Sequence, residues 1–432
     1  MKRDALKSLK NWKNSVKRQP LLLNGVRQVG KTWLVREFAR TEFDDLIEIN
    51  FLADETVRHI FAGNVIPAYL ISQLEAHFGR KIDPARTLLF LDEIQESQRA
   101  MDSLKTFNDA GGDYHIIAAG SFLGVMLGRK PVGQTDQITL YPMSFCEFLD
   151  AMGNEILADA IHRRDIDIIT GASDLLETFL KQYFYVGGMP AAVLEYTTSK
   201  DWQKTREIQN KLLADYRGDF SKHISVHDIA KVAMLWDSIP VHLAKEKKKF
   251  IYKEIKHGSR AAGFENAMQW LVDTQLVHKI NRVENPQIPL AAYQSPNIFK
   301  LYMLDIGLLC AKSDISPRDI IAPTADITKS MNGALAEQFV CQELKAAGVS
   351  PLFYWARENS QAEVDFITHG RDGVVPIEVK SGLRTQAKSL NVYIKQYKPK
   401  HAVRTSLRNY GIENDLYSVP LYMISEFPHI IQ

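Results

Sequence analysis

Between Pro20 and about Leu140 short apolar runs alternate with helical stretches. The runs are LLLNG (21–25), LIEINF (46–51), TLLFLDE (87–93), YHIIAAGS (114–121) and QITLYP (137–142), each bounded by polar residues or glycine. Continuous apolar runs of this length predict parallel strands buried on both faces, with crossover helices between them. From about Ser144 to Tyr216 the period becomes helical, interrupted by YVGGMP (185–190). Gly218 to Leu309 reads as helices followed by a strand pair, LVHKINRVE (276–284) and IFKLYMLD (298–305). Residues 313–330 scatter Pro, Asp and Ser among apolar positions without helical period and read as a linker. A helix, three strands, a helix and a strand follow. The expected class is α/β, with a parallel-sheet domain first, a helical middle and a second α/β domain at the end. The expected limits are 1–143, 144–216, 217–312, a linker at 313–330, and 331–432.

Composition changes this picture little. With 432 residues, 45% hydrophobic and 24% charged, the chain can bury several cores. A net charge of +2 supplies no global field toward nucleic acid or membrane, so any such attraction is local. Cys146, Cys310 and Cys341 are far apart, without zinc or disulfide spacing, which points to a reducing compartment. No run approaches the ~20 apolar residues of a membrane span. The charged start, MKRDALKSLKNWKN, lacks the apolar core of a signal peptide. The expectation is a cytoplasmic protein without membrane partners.

The clearest chemistry lies at the end of the first strand. Gly25-Val26-Arg27-Gln28-Val29-Gly30-Lys31-Thr32, followed by Trp33, stands between an apolar strand and an amphipathic helix. The glycines let backbone N–H groups wrap phosphates, the helix N-terminus adds positive dipole, Lys31 neutralises the β/γ-phosphates and Thr32 ligates Mg2+. The plain alternative is a glycine turn in a βα unit, which does not call for the full Gly-x-x-x-x-Gly-Lys-Thr pattern. TLLFLDEIQ supplies the second half. Asp92 at the strand tip can hold the Mg2+, and Glu93 is placed to polarise an attacking water. This spacing resembles the P-loop ATPases that have a strand inserted between the two halves and a catalytic glutamate. No Asn-Lys-x-Asp for guanine occurs, so ATP is the expected nucleotide. Ser121 resembles their polar sensor of the γ-phosphate or water. Arg129 reads equally as a cation for transition-state charge or as a solvated loop arginine. GGMP (187–190) resembles the Gly-x-Pro of signal-transduction ATPases, in which Pro190 would pack near adenine; a Gly/Pro helix stop fits as well.

The middle region looks like a winged helix. Its basic stretch HLAKEKKKFIYKEIKHGSR suits phosphates, but the groove helix FENAMQWLVDTQ carries Glu265 and Asp273 and no Lys or Arg. A structural winged helix is therefore expected rather than a sequence reader.

Near the end, AEVDFITHGRDGVVPIEVKSG reads as a hairpin with an Asp-Gly turn. Strand alternation places Glu378 and Lys380 on one face, and Asp365 on the partner strand can meet them. The preceding helix offers Glu337. The order resembles the restriction-endonuclease-like nuclease fold. Asp365, Glu378 and Glu337 would then hold Mg2+ or Mn2+, and Lys380 would steady the attacking hydroxide. Other Glu-x-Lys pairs, Glu246/Lys248, Glu254/Lys256 and Glu343/Lys345, read as helical or solvated. Ser381 to Ile412 contains no acidic residue, and its Arg384, Lys388, Lys395, Lys398, Lys400, Arg404 and Arg408 suit a DNA or RNA backbone or another domain or subunit. Pro376 removes a ladder donor from this strand, and cleavage and an inactive partner-binding module both stand as readings.

GVRQVGKT, LFLDEIQ, AAGS, YPMSFCEFL, FKLYMLDIGLL and EVDF…PIEVKSG together resemble bacterial and archaeal AAA-superfamily ATPases with a C-terminal domain of unknown function and a nuclease-like end. The resemblance implies a P-loop NTPase domain that binds and hydrolyses ATP with Mg2+, and a partner that is nucleic acid, protein or a second copy. The second-sensor arginine of hexameric relatives has no counterpart, so a ring is not implied.

Overall fold

The computed structural model describes residues 1–121, 123, 133–222, 224–245, 248–255, 261–321, 329–357, 362–383 and 386–431. Arg129, Glu246, Lys256 and Arg384 lie outside them. The chain forms two compact units. The smaller holds Arg3–Tyr141 with Asp273–Gln275; the larger holds Met1–Lys2, Pro142–Val272 and Leu276–Gln432.

In the smaller unit the five apolar runs become β1 (Leu21–Asn24), β2 (Asp45–Asn50), β3 (Thr87–Asp92), β4 (His115–Ala119) and β5 (Asp136–Thr139). They form one parallel sheet in the order β2-β3-β4-β1-β5. The inner strands β1, β3 and β4 are buried at every position, which is why their sequences do not alternate. LIEINF, which separates the two nucleotide motifs in sequence, sits instead at the sheet edge as β2; the strand inserted in space is β4. The helix Lys31–Glu42 turns Leu34, Val35, Phe38 and Ala39 inward. Leu34 and Phe38 are fully buried, and each such side chain contributes roughly 1.5–3 kcal/mol of apolar burial. Across the sheet Leu22, Ile47, Leu89, Leu91, Ile116 and Ala118 pack with Leu70, Leu74 and Leu104. This core fixes the C-terminal ends of β1, β3 and β4, and the candidate nucleotide residues stand there.

The larger unit opens with helices between Phe145 and Leu243, then carries β6 (Val277–Val283), β7 (Gln294–Met303), β8 (Leu352–Ala356), β9 (Glu363–Gly370), β10 (Gly373–Val379), β11 (Ala402–Ser406), β12 (Gly411–Glu413) and β13 (Leu416–Pro420). These build one mixed sheet ordered β12-β13-β11-β10-β9-β8-β6-β7. The strand pair expected as a winged-helix ribbon is therefore the edge of the C-terminal sheet. β6 pairs in parallel with β8 through Arg282↔Tyr354 and Val283↔Trp355. At Arg282 and Val283 β6 therefore has a strand on each side, where a free ribbon would face water. Within the expected linker, Pro317–Ile321 is helical and the next helix begins at Lys329.

That helix, Lys329–Ala346, carries a buried polar spine. Gln338 Oε1 accepts from Met303 N at 2.8 Å while its Nε2 donates to Met303 O at 2.7 Å. Gln342 Oε1 accepts from Ile306 N at 2.9 Å, and Gln342 Nε2 donates to the Tyr183 hydroxyl at 2.6 Å. Glu343 Oε1 accepts from Phe145 N at 3.1 Å. Such side chains stay buried because each takes up backbone or hydroxyl groups that would otherwise be orphaned. Glu343 is thus a buried helical residue and has no part in a Glu-x-Lys site.

Candidate active site

The phosphate loop is shaped by backbone conformation first. Gly25 has φ 149° and Gly30, which precedes the helix, φ 99°. A Cβ on Gly25 would meet Leu140 O at 2.6 Å, so glycine there is required by space as well as by torsion. Val26 and Val29 are buried and anchor the loop, while Arg27 and Gln28 are exposed. Arg3 braces it: Nη1 donates to Val29 O at 3.0 Å and Nη2 to Tyr141 O at 2.7 Å. Trp33, 43% exposed, points away from the core.

Lys31 donates to Gly25 O at 2.7 Å, Val26 O at 3.0 Å and Ser121 Oγ at 3.3 Å. Burial pulls its ammonium down to about 8, against the opposing charges of Glu93 and Asp92. Thr32 Oγ1 donates to Asp92 Oδ2 at 3.0 Å, and Glu93 N donates to Asp92 Oδ1 at 3.1 Å. Burial raises the Asp92 carboxyl above its usual range, countered by the Thr32 hydrogen bond. A hydroxyl and a carboxylate set this close are the oxygen donors magnesium takes, and a divalent cation would offset the burial penalty on Asp92. The residues fit the metal. Glu93, one residue on, adopts left-handed backbone with φ 52° and accepts from Gln95 Nε2 at 2.6 Å. Lys31, Thr32, Asp92, Glu93 and Ser121 thus converge at one sheet edge.

Three features escape the sequence reading. Arg3 lies outside every motif, and Gln95, the last residue of LFLDEIQ, is given no role by the sequence. Asp273, placed by the sequence on a groove helix, ends the helix Glu265–Asp273, and with Thr274 and Gln275 it lines a small cleft beside Asn24, Gly25, Gly120, Ser121 and Leu123. Pro190 belongs to the larger unit and opens the helix Pro190–Ser199, after a preceding helix that stops at Gly187.

The C-terminal acidic group is also brought together, but with cations among it. Lys300 on β7, 1% exposed, lies 3.3 Å from Glu337 Oε2, 2.6 Å from Glu363 Oε1 and 3.8 Å from Asp365 Oδ1. Lys248 pairs with Glu337 Oε1, and Tyr302 donates to Glu337 Oε2 at 2.9 Å. Burial would lower Lys300, but Glu337 and Glu363 outweigh it and hold the ammonium well above its ordinary value. Glu337 is pushed up by burial and pulled further down by Lys248 and Lys300. Asp365 is raised by burial and by the neighbouring Glu337 and Glu378 charges, and its Oδ2 accepts from Val379 N at 2.8 Å. Lys380 pairs with Glu378 Oε1 at 2.6 Å. As a three-carboxylate set this does not fit a divalent cation, because Glu337 is committed to two ammonium groups. Among the described residues no group of three or more His, Cys, Asp or Glu is arranged to hold a metal. One atom points the other way: Glu378 Oε2 is buried without a hydrogen-bond partner among the described residues.

Also among the described residues, no helix is long and apolar enough to cross a membrane. Three families match in separate segments: an AAA domain over residues 17–149, and two domains of unknown function, DUF8612 over 177–319 and DUF4143 over 332–424. Comparison with curated proteins returns no match. Among solved structures, the Walker-type ATPase PABY2304 of Pyrococcus abyssi is 14% identical with a TM-score of 0.46, covering 72% of this chain and 95% of that one. The Thermotoga maritima RuvB Holliday junction branch migration motor is 12% identical, TM-score 0.31, covering 65% and 90%. The Aeropyrum pernix ORC1 protein in complex with DNA is 13% identical, TM-score 0.28, covering 72% and 90%. Likenesses this distant carry nothing about what the present chain acts on. Residues 17–149 match the AAA domain family, and the converged loop lies within that segment.

Proposed function

We propose that the chain hydrolyses ATP at the loop and works as a nucleotide-driven switch. Backbone N–H groups of residues 25–32 bind the phosphates, Lys31 neutralises the terminal ones, Ser121 contacts the γ-phosphate or the water, and Glu93 takes the proton of the attacking water. Magnesium, held by Thr32 and Asp92, would supply charge neutralisation between phosphates. The observation that carries this reading is the 3.0 Å pairing of Thr32 with Asp92 beside the buried Lys31. Phosphate release from purified protein tests it. Lys31→Ala should lose nucleotide binding, and Glu93→Gln should bind ATP while losing at least ~100-fold in kcat. Equal turnover by Glu93→Gln and wild type removes the hydrolytic assignment.

In this reading the C-terminal domain, proposed over 331–432, is a partner-binding module whose acidic group is closed by lysines. Its partner is a protein, a second copy of the chain or nucleic acid. The unpartnered Glu378 Oε2 favours a second reading, a metal-dependent nuclease using Asp365, Glu378 and Lys380. Exposed Lys388, Lys395 and Lys398 on and just after the helix Lys388–Tyr397 would suit a nucleic-acid backbone. Incubation with DNA and RNA in Mg2+ or Mn2+ separates the two. No cutting is expected, and cutting that Glu378→Ala abolishes would establish the nuclease instead.

A further inference from the structure

Gln95 stands between the proposed general base and the sensor strand. Its Nε2 donates to Glu93 Oε2 at 2.6 Å. The side chain is 7% exposed, and its Oε1 has no hydrogen-bond partner among the described residues. A Cβ on Gly120 would lie 2.2 Å from that oxygen, so the amide fits only because residue 120 has no side chain. Gly120 follows β4 directly and precedes Ser121, whose Oγ accepts from Lys31 at 3.3 Å. A continuous path therefore runs from the phosphate-loop lysine through the end of β4 to the Gln95 amide and the Glu93 carboxylate.

The backbone explains why such a brace is needed. Glu93 holds φ 52°, a left-handed conformation that is strained for a non-glycine residue. The turn Ile94–Glu96 follows at once, and Ser97 caps the next helix by accepting from Ala100 N at 3.2 Å. These contacts set where the Glu93 backbone lies and leave its side-chain torsions free. The Gln95 amide restricts them by occupying one carboxylate oxygen, and the other, Oε1, remains for a water proton. A buried amide with an unsatisfied oxygen is destabilising as packing alone, a cost that a leucine there would avoid.

We infer that Gln95 is a positioning residue for ATP hydrolysis, orienting Glu93 and tying that orientation to the Gly120–Ser121 end of β4. The inference rests on the ATPase reading above. Steady-state kinetics on the full chain test it with Gln95→Leu, Gly120→Ala, Glu93→Gln and the double variant Glu93→Gln/Gln95→Leu. Gln95→Leu removes the donor, and Gly120→Ala displaces it. Each should lower kcat by ~10- to 100-fold and leave KM for ATP within about twofold, since misorientation of a catalytic group acts on the chemical step. The double variant should be no slower than Glu93→Gln alone, because Gln95 acts through Glu93. Wild-type kcat in Gln95→Leu, or a double variant slower by the full Gln95→Leu factor, overturns the role. If Gln95→Leu does not fold, Gly120→Ala decides by the same split of kcat from KM. A wild type without turnover, or Glu93→Gln as fast as wild type, sinks the ATPase reading itself. An active wild type with an inactive Glu93→Gln and an unimpaired Gln95→Leu sinks only this inference.

Discussion

Lys31 is a charge held where charge is expensive. Burial brings its ammonium down to about 8, because the carbonyls of Gly25 and Val26 and the Ser121 hydroxyl replace water only in part. Below about pH 8 the group is charged and ready for phosphate. Above it, the chain without nucleotide releases the proton, and ATP must recover it on binding. Affinity for ATP should therefore fall as pH rises through about 8, approaching tenfold per unit, with proton uptake on binding. Calorimetry at pH 9 in two buffers of different ionisation heat reads the uptake directly, and equal heats would refute it. For folding the sign is opposite. Between about 8 and ~10.4 the unfolded chain keeps a proton that the folded chain has lost, so this group favours folding as pH rises across that window. The glycine and lysine spacing made the loop legible, because every participant from Gly25 to Thr32 is local. Arg3 and Gln95 were not legible. Val29 and Tyr141, the partners of Arg3, and Gly120, against which the Gln95 amide packs, are brought to them by the fold.

At the level of elements, one buried carboxylate joins the GGMP turn to the helix Ile306–Lys312. Asp305 Oδ1 caps that helix by accepting from Leu308 N at 2.9 Å, while Oδ2 accepts from Gly188 N at 2.6 Å. A Cβ on Gly187 would stand 2.2 Å from the same carboxylate, so the turn approaches it as closely as glycine allows. Burial raises Asp305 to about 6, although the Gly188, Leu308 and Gly307 amides pull it down. The folded chain therefore holds a proton that the unfolded chain has released above about pH 4. Stability from this group is present below that value and is lost as pH rises through about 6, roughly 3 kcal/mol in all. Urea midpoints measured from pH 4 to pH 7 should decline more steeply in wild type than in Asp305→Asn, which cannot titrate; parallel curves would reject the assignment. The sequence reading of this turn stopped at its Gly and Pro, since Asp305 lies over a hundred positions away. The parallel strands β1, β3 and β4 were readable from burial on both faces. The pair β6–β7 was misplaced for a related reason: strand character is local, but pairing with β8 depends on residues 352–356, beyond a helix and a region that read as a linker.

Over the whole molecule, a net charge of +2 conceals two opposite ways of treating buried carboxylates. In the smaller unit Asp92 is desolvated next to a hydroxyl and has no salt-bridged cation among the described residues, an arrangement that favours an external metal. In the larger unit Glu337, Glu363 and Asp365 surround the Lys300 ammonium, which supplies internally the positive charge a metal would bring. Glu378 and Lys380 were readable as a pair because they are neighbours in the chain. The neutralising Lys248 and Lys300 were not, as they reach Glu337 from 89 and 37 positions away. Displacing a buried ammonium that serves several carboxylates would strand those charges, a cost of several kcal/mol that a weakly bound divalent cation cannot offset. Titration of Mn2+ onto the full chain with ATP, followed by electron paramagnetic resonance, should therefore find one tight ion per chain. Asp92→Ala should remove it, while Asp365→Asn and Glu378→Gln should leave it unchanged. A second tight ion that either C-terminal substitution removes would show that Lys300 yields its place to metal, and the larger unit would regain a claim to phosphodiester chemistry.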